Sequence, residues 1–289
     1  KKKLKDQKFK VKINSNFKKN GKLHYGELFI KGKSKKELII HTYICHPSLA
    51  NNEISGPTVT TFLAKHFSKK KNHLSLRFIF VPETIGAIAY LHKNLKKLKK
   101  NVIGGYVLTC VGDERNYSFL ESKNQSSLSN NIAKELFLEN KINYKNYTFL
   151  DRGSDERQYN SPGIDLPIAS IMRTKYGEYK EYHTSDDNFD VVTKKGLINS
   201  YKIIKKVIEK FNKEIIPIST VKCEPFLSKR KLYPTLSDGK INNLSKILLD
   251  FLTYSDGTKR LAEISKKIKI SEVKAKKIFN ILKKNNLVL

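Results

Sequence analysis

Short apolar runs alternate with longer amphipathic stretches over the first two thirds of the chain. Three of these runs, at 38–45, 74–81 and 102–110, are nearly continuous in apolar residues, as is typical of strands that are buried on both faces. The stretches after them repeat apolar residues at the spacing of a helix. Strands that alternate with helices predict an α/β fold with a mostly parallel, mixed sheet and helices on both faces.

The same periods predict the remaining elements of this region. Residues 1–33 are expected to form the end of a truncated β subdomain, because 9–13 and 23–30 both carry a strand-like spacing of apolar residues. The first residue is Lys rather than Met, so we expect further sequence before it. Helices are expected near 56–67, 86–99, 126–140 and 194–213, and further strands at 147–150 and 164–172.

The last fifty residues are organised differently. Amphipathic helices are predicted at 244–252, at 261–268 and after the capping residue Ser271, and an apolar end follows at 287–289. Three short helices and a terminal strand resemble a winged helix-turn-helix, and a stretch with several prolines precedes them. The predicted units are the end of a β subdomain at 1–33, an α/β domain at 34–216, a linker at 217–239 and a winged-helix domain at 240–289.

The chain is strongly basic, with 57 Lys and Arg against 27 Asp and Glu and a net charge of +30. Nearly all of the excess is Lys, alongside abundant Ile and Asn, and we interpret it as a codon-level bias rather than selection for a polyanion. Such a charge still attracts nucleic acid nonspecifically at low salt. We do not expect nucleic acid to be the specific partner.

The three cysteines lie far apart and include no Cys-x-x-Cys pair of the kind that binds metal. Cys45 and Cys110 each end an apolar run, so we expect both to be buried free thiols, as in a reducing cytoplasm. No stretch of 18 apolar residues occurs and no signal peptide opens the chain. These observations predict a cytoplasmic protein without a membrane partner.

Polar clusters follow the apolar runs, where parallel strands would end at one edge of the sheet. His46 follows the first run, Glu83 the second and Asp113 the third, and His183 lies in a loop after the last predicted strand. Zinc sites combine His nitrogen with carboxylate oxygen and leave one position for water. Glu83 suits a general base beside such a water, or it could favour the start of the helix that follows.

Other charged and imidazole side chains leave alternatives open. Arg152, Arg157 and Arg173 could hold a substrate carboxylate, or they could pair with Asp155 and Glu156. The remaining histidines lack neighbours of this kind, and we expect them at the surface or packed in the core. They are His24, His41, His66, His73 and His92.

Four motifs, in this order along the chain, carry a family resemblance. They are His46-Pro47-Ser48 with a loop that ends in Ser55-Gly56, Pro82-Glu83-Thr84-Ile85-Gly86, the run from Gly153 to Tyr159, and Tyr182-His183-Thr184-Ser185. Together they resemble the aminopeptidase-like zinc peptidases, a clan that includes bacterial leucyl aminopeptidases and glutaminyl cyclases. Within the clan, the chain looks like a bacterial subgroup, often encoded with polysaccharide biosynthesis, in which a winged-helix domain follows the peptidase domain.

The resemblance implies a zinc-exopeptidase-like catalytic domain at 34–216 and roles for individual residues. His46 matches the first metal histidine and His183 the last, and Glu83 matches the base that takes a proton from zinc-bound water. Asn52 falls where a metal-bridging aspartate is expected. An amide oxygen ligates zinc weakly and brings no charge.

Two further ligand positions fall on Thr84 and Thr109, although Asp113 lies just beyond the second. The implied cofactor is therefore one zinc ion, with Asn52 and Asp113 as further candidate ligands. A carboxylate of Asp113, Glu53 or Asp155 could compensate for the missing ones. The implied substrate-binding residues are Asp155, Arg157 and Tyr182.

Three functions are open on this evidence. The first is a zinc hydrolase that cleaves an amide bond near a free amino group of a small peptide or amino-acyl substrate. The second is a degenerate peptidase-like protein that binds an intermediate of surface polysaccharide biosynthesis. The third, a winged-helix DNA-binding regulator, is favoured least, because the helix after Ser271 carries Lys but no Arg or Gln to read bases. We expect that domain to pack or to bind a partner, including a second copy of the chain.

Overall fold

The computed structural model describes residues 8–16, 18–233 and 243–289. The strands within them are β1 (Gly26–Ile30), β2 (Glu37–Tyr43), β3 (Ser75–Val81), β4 (Val102–Leu108), β5 (Ser118–Leu120), β6 (Lys145–Tyr147) and β7 (Ile168–Met172). They form one sheet in the order β1-β3-β2-β4-β7-β5-β6. Its centre is parallel, and the pairs β1–β3 and β5–β7 are antiparallel. The predicted mixed sheet is confirmed.

Helices cover both faces of this sheet. The α-helices of the described residues are α1 (Ser55–Ser68), α2 (Ile85–Asn101), α3 (Leu128–Glu139), α4 (Glu156–Tyr159), α5 (Lys194–Lys213), α6 (Asn243–Thr253), α7 (Leu261–Lys267) and α8 (Glu272–Lys284). Leu38 and Ile40 of β2 join the core formed with α1, α3 and α5. Ile39 joins the core formed with α2 and α4. Neighbours along a strand point to opposite faces, so the continuous apolar run of β2 reflects burial on both sides.

The edges of the sheet differ from the sequence prediction. Residues 9–13, predicted as a strand, are exposed and form none, because an alternating segment needs a partner to make a ladder. The strand predicted at 147–150 lies at 145–147 instead, and a 3-10 turn occupies Phe149–Asp151. The short strand β5 has no counterpart in the sequence pattern, since three residues show no period.

The C-terminal helices enclose a hydrophobic core of their own. Phe251 of α6 and Ile264 of α7 are fully buried in it. Ser219 pairs with Val288 in an antiparallel bridge, so the first residues of the predicted linker at 217–239 join this unit. Residues 234–239 of that linker, residues 240–242 of the predicted winged-helix domain and residues 1–7 lie outside the described residues.

The cysteines follow the prediction only in part. All three are free thiols and Cys110 is buried, but Cys45 is exposed. The expectation for Cys45 is wrong because β2 ends at Tyr43, so the apolar run continues beyond the sheet into a surface loop. Across the part of the chain that the structure describes, no helix combines the length and apolar character needed to cross a membrane.

Candidate metal centre and active site

The loop after β2 presents His46 at the carboxyl edge of the sheet. Pro47 cannot donate to a ladder, and a single π-helical turn at Ala50–Ile54 leads into α1. Asp187, fully buried, fixes this turn by accepting hydrogen bonds from the backbone amides of Asn51 and Asn52 at 2.7 and 3.0 Å. The loop that carries His46 is therefore tied to the loop that carries His183.

The two predicted metal histidines lie side by side. The ring centroids of His46 and His183 are 4.9 Å apart, and both rings line a surface pocket of about 520 Å³. Tyr182 stacks on His183 at 4.0 Å with nearly parallel rings. His183 has φ +55°, a left-handed conformation that is uncommon outside glycine. The structure thus brings together residues that are 137 positions apart in the sequence.

Glu53 supplies a carboxylate beside His46. One oxygen lies 3.0 Å from Nδ1 of His46 and accepts a hydrogen bond from the side-chain amide of Asn52 at 2.7 Å. The other accepts the backbone amide of Cys45 at 2.7 Å. Ligand atoms of Cys45, His46 and Glu53 all lie within 4.8 Å of one another. Since zinc ligands about 2.0–2.3 Å from the ion lie only a few ångströms from each other, this cluster is compact enough for one metal ion.

The other candidate ligands have different surroundings. Asn52 is buried, and its amide nitrogen donates to Glu53 while the Cys110 thiol donates to its side-chain oxygen at 3.8 Å. Asp113 is outside the cluster. Its oxygens accept hydrogen bonds from Asn51 and from the backbone and hydroxyl of Thr174. Asp113, a candidate ligand in the sequence, is therefore a buried carboxylate that links the loops of Asn51 and Thr174.

Glu83 projects from the end of β3 towards the same edge. Glu83 directly precedes the N-terminal residues of α2 but makes no side-chain cap hydrogen bond to it. Its carboxylate instead accepts a hydrogen bond from the Ser154 hydroxyl at 2.8 Å. Burial raises the pKa of the Glu83 carboxyl, and the charges of Asp155 and Glu53 raise it further against the effect of the Ser154 hydrogen bond.

A buried polar chain holds the turn that carries Glu83. Asp155 is fully buried, and one of its oxygens accepts the backbone amide of Thr84 at 2.8 Å. The other lies 2.8 Å from Nε2 of His41, whose Nδ1 lies 2.9 Å from the Tyr159 hydroxyl. Thr84 has φ +61°, so the turn needs such support.

Asp155 and His41 are both fully buried. Asp155 does not line the pocket, because both of its oxygens are used to position the turn after β3. His41 is fully buried, which agrees with the expected alternative of a histidine packed in the core, and both of its ring nitrogens lie within a hydrogen-bonded network. The signal in the sequence is its place inside an apolar strand, where a buried imidazole needs partners. Arg157 donates to the Thr84 hydroxyl at 2.9 Å, so it supports the same turn.

The chain matches two known protein families. Residues 8–214 match the family described as "Domain of unknown function (DUF4910)". This match covers more than half of the chain. The chain belongs to this family. Residues 216–289 match the winged helix-turn-helix family, in agreement with the three C-terminal helices.

A named protein and a crystal structure from Clostridium acetobutylicum are similar to this chain. A Clostridium acetobutylicum protein, named for polysaccharide biosynthesis and an aminopeptidase-like domain, is 39% identical over 91% of this chain and 60% of its own length. A crystal structure of a proposed peptidase from the same organism is 36% identical, with a TM-score of 0.66 over 92% of this chain and 60% of that one. The chain thus spans about 60% of the length of these relatives.

A zinc aminopeptidase from Bacillus subtilis shares the fold. It is 17% identical, with a TM-score of 0.54 over 64% of this chain and 48% of that one. Sequence identity at this level shows that the fold is shared, but not that the function is shared. The resemblance to the aminopeptidase-like zinc peptidases is therefore confirmed as a fold, together with the C-terminal winged-helix domain.

Proposed function

We propose that this chain carries a hydrolase site of the aminopeptidase type that works with one zinc ion. The observation that carries the proposal lies at the carboxyl edge of the sheet, where the His46 ring is beside the His183 ring and its Nδ1 is 3.0 Å from the Glu53 carboxylate. Glu83 is within electrostatic range of Glu53. The same fold in a zinc aminopeptidase supports this assignment.

The donor set suits one ion rather than two. Glu53 stands one residue after Asn52, and it restores a carboxylate beside His46. The remaining positions of a two-metal set hold Thr84 and Thr109, and Asp113 is engaged elsewhere. Neutral hydroxyls give no charge to balance a second divalent ion. His46, His183 and Glu53 are therefore the residues that would hold the ion.

Beside the metal ligands, other side chains of the chain have separate roles in the proposed hydrolysis. A bound zinc ion would act as a Lewis acid and lower the pKa of a coordinated water. Glu83 would accept the proton of the attacking water, and its raised pKa brings it closer to the neutral range that suits a base. The Ser154 hydroxyl orients the carboxylate of Glu83. Asp155 and Arg157 hold the turn after β3 through Thr84.

The substrate class proposed is a small peptide or an amino-acyl group on a larger intermediate. Tyr182 stacks on His183, which lines the pocket, so we propose that it supports the histidine beside the bound substrate. The name of the Clostridium relative suggests an intermediate of polysaccharide biosynthesis. An amide bond next to a free amino group is the target that the aminopeptidase fold supports.

A second candidate is a peptidase-like binding protein without hydrolysis. It is favoured by the substitutions at Asn52, Thr84 and Thr109, where the resemblance calls for carboxylates. In that case Glu53 and Glu83 would bind the amino group of a ligand, since a carboxylate pairs well with an ammonium. The two candidates make different predictions for zinc content.

The first prediction concerns zinc content and turnover of the intact chain. Purified protein should retain about one zinc per chain and release amino acids from aminoacyl amides. His46→Ala should abolish zinc retention, while Glu83→Gln should keep the zinc and lower kcat by about 10²–10⁴-fold. Mass spectrometry of metal content and a panel of aminoacyl and peptidyl amides provide the measurements.

The matched control is His92→Ala, which removes an exposed histidine of α2. It should leave zinc and turnover unchanged. Zinc-free protein with full turnover, or turnover that survives Glu83→Gln, would overturn the proposal. Saturable binding of an amino-acyl ligand with no zinc and no hydrolysis would favour the binding protein.

A further inference from the structure

Cys45 lies directly beside the residues proposed to hold zinc. It precedes His46, and its sulfur belongs to the compact cluster with His46 and Glu53, in which ligand atoms lie within 4.8 Å of one another. The thiol is free and exposed, and Cys45 lines the same pocket as His46 and His183. A thiolate is a strong zinc ligand.

The position of Cys45 is fixed by the Glu53 carboxylate. The backbone amide of Cys45 donates to one carboxylate oxygen at 2.7 Å, while the other faces Nδ1 of His46 at 3.0 Å. One carboxylate therefore organises two consecutive residues, and their side chains converge on the same space. A packing role does not explain Cys45, because the side chain is not buried.

A thiolate would also give the site a second anionic donor. Glu53 is the single carboxylate in the cluster, because Asn52 occupies the position where a carboxylate is expected. A thiolate and a carboxylate together would balance a divalent ion, whereas the imidazoles are neutral when they ligate. Thiolate ligands also favour zinc and cobalt over magnesium, calcium and manganese, which prefer oxygen.

We propose that the Cys45 thiolate is a metal ligand, so that this site is a mixed Cys-His-carboxylate centre rather than one built from His and carboxylate alone. The proposal rests on the proposed function, since it needs the metal at His46. It adds the identity of the missing anionic donor and the metal preference of the site. It also means that alkylation of Cys45 and metal binding exclude each other.

The test uses Co²⁺ added to the metal-free full chain, followed by absorption spectroscopy. A thiolate bound to Co²⁺ gives a sulfur-to-metal charge-transfer band in the near ultraviolet, separate from the visible d–d bands. We expect this band in the unmodified chain and its loss in Cys45→Ser. We also expect Cys45→Ser to weaken Co²⁺ binding at least about tenfold. Cys223→Ser, which changes another exposed thiol, should leave both the band and the affinity unchanged.

The outcomes separate this proposal from the one it rests on. Co²⁺ that binds with d–d bands but no charge-transfer band, or with equal affinity in Cys45→Ser, overturns the thiolate ligand and leaves the His46 site intact. Co²⁺ affinity that is the same in His46→Ala overturns the metal site itself. Because Cys45 is exposed, Cys45→Ser is not expected to disturb folding, and circular dichroism checks this directly.

Discussion

The carboxylate in the loop after β2 stands one position later than the family resemblance implies, and this changes which side chain there could ligate a metal. The sequence Asn51-Asn52-Glu53 places an amide where a carboxylate is expected and a carboxylate one position later. Because the turn at 50–54 is π-helical, Glu53 folds back to His46 with its carboxylate in hydrogen-bond range. π-Helical turns occur often at functional sites. The conformation of the turn, more than the position of the carboxylate in the sequence, therefore decides which side chain the carboxylate contacts.

Ser154 offers a test of the Glu83 carboxyl at the same scale. Its hydroxyl donates to Glu83 at 2.8 Å and opposes the rise in pKa that burial causes. In Ser154→Ala we expect the pKa of Glu83 to rise further. A base works only when it is ionised, so turnover should be lost at a higher pH as the solution is acidified.

The measurement is the acid limb of the pH–rate profile, together with a carboxyl-carbon NMR titration of Glu83 that does not depend on turnover. Ser126→Ala, a change at an exposed serine far from this edge, is the matched control. An acid limb that stays in place or moves to lower pH in Ser154→Ala contradicts the assignment of Glu83 as the base.

Elements at the β1 edge are held together by one buried arginine. Arg77 of β3 is almost fully buried, and it donates to Glu37 of β2 at 2.7 Å and to Glu27 of β1 at 2.6 Å. It also lies over the ring of Phe29 at 4.6 Å. One guanidinium thus pairs with both neighbouring strands and helps to fix the β1 edge of the sheet.

Replacing this arginine should destabilise the sheet strongly. In Arg77→Met the Glu37 carboxylate, also buried, would lose its cationic partner, at a cost of about 3–5 kcal/mol in the free energy of unfolding. Urea unfolding followed by circular dichroism measures it. The control, Lys246→Met, removes an exposed pair with Asp250 and should cost less than about 1 kcal/mol. An equal loss in the free energy of unfolding in both variants would show that Arg77 contributes no more to stability than an exposed ion pair.

On the scale of the whole molecule, the winged-helix domain is docked on the α/β domain through polar contacts. Arg260, at the start of α7, binds both oxygens of Glu135 in α3 at 2.7 and 2.5 Å. Asn131 of α3 donates to Glu263 of α7 at 2.8 Å. The backbone of Leu261 donates to Ile215, just after α5, at 2.8 Å. These bonds orient the C-terminal domain against α3 and α5.

Arg260→Met should loosen this docking. Arg260 is largely buried but Glu135 is partly exposed. We therefore expect the free energy of unfolding to fall by about 1–3 kcal/mol, between the values for exposed and buried ion pairs. Calorimetry should then show the C-terminal domain melting earlier, as a separate transition. The neighbouring variant Lys259→Met, whose pair with Asp256 lies within the C-terminal domain, should not separate the transitions. One unchanged transition in Arg260→Met would contradict docking through this residue.

Much of the fold could be predicted because its signals are local and repeated. The apolar runs of β2, β3 and β4 and the amphipathic period of α5 are long enough to identify each element by itself. The edges could not be predicted in this way. Strand β5 spans three residues and depends on its neighbours β6 and β7, so its formation is decided by pairing rather than by its own sequence.

Some residues of the candidate site could likewise be named from local signals in the sequence, and others could not. His46, His183 and Glu83 could be named from the sequence because each follows an element whose end is predictable and because the motifs resemble a family. Glu53 could be named only as one of three carboxylates able to compensate for missing ligands. The roles of Cys45 and of the His41–Asp155 pair could not be assigned, since they depend on loop geometry and on partners up to 114 positions away. A carboxylate that bridges loops and one that holds a metal look alike in a sequence.

The sequence by itself determined the central strands of the sheet, the long helices that cover them and the edge at which the polar side chains collect, because burial and period act along the chain. Only the tertiary structure decided which carboxylate faces His46. It showed Asp113 and Asp155 committed to buried hydrogen bonds and Glu53 turned towards the histidine. The physical reason is that each carboxylate takes the donors that folding brings within about 3 Å, and those donors come from distant segments.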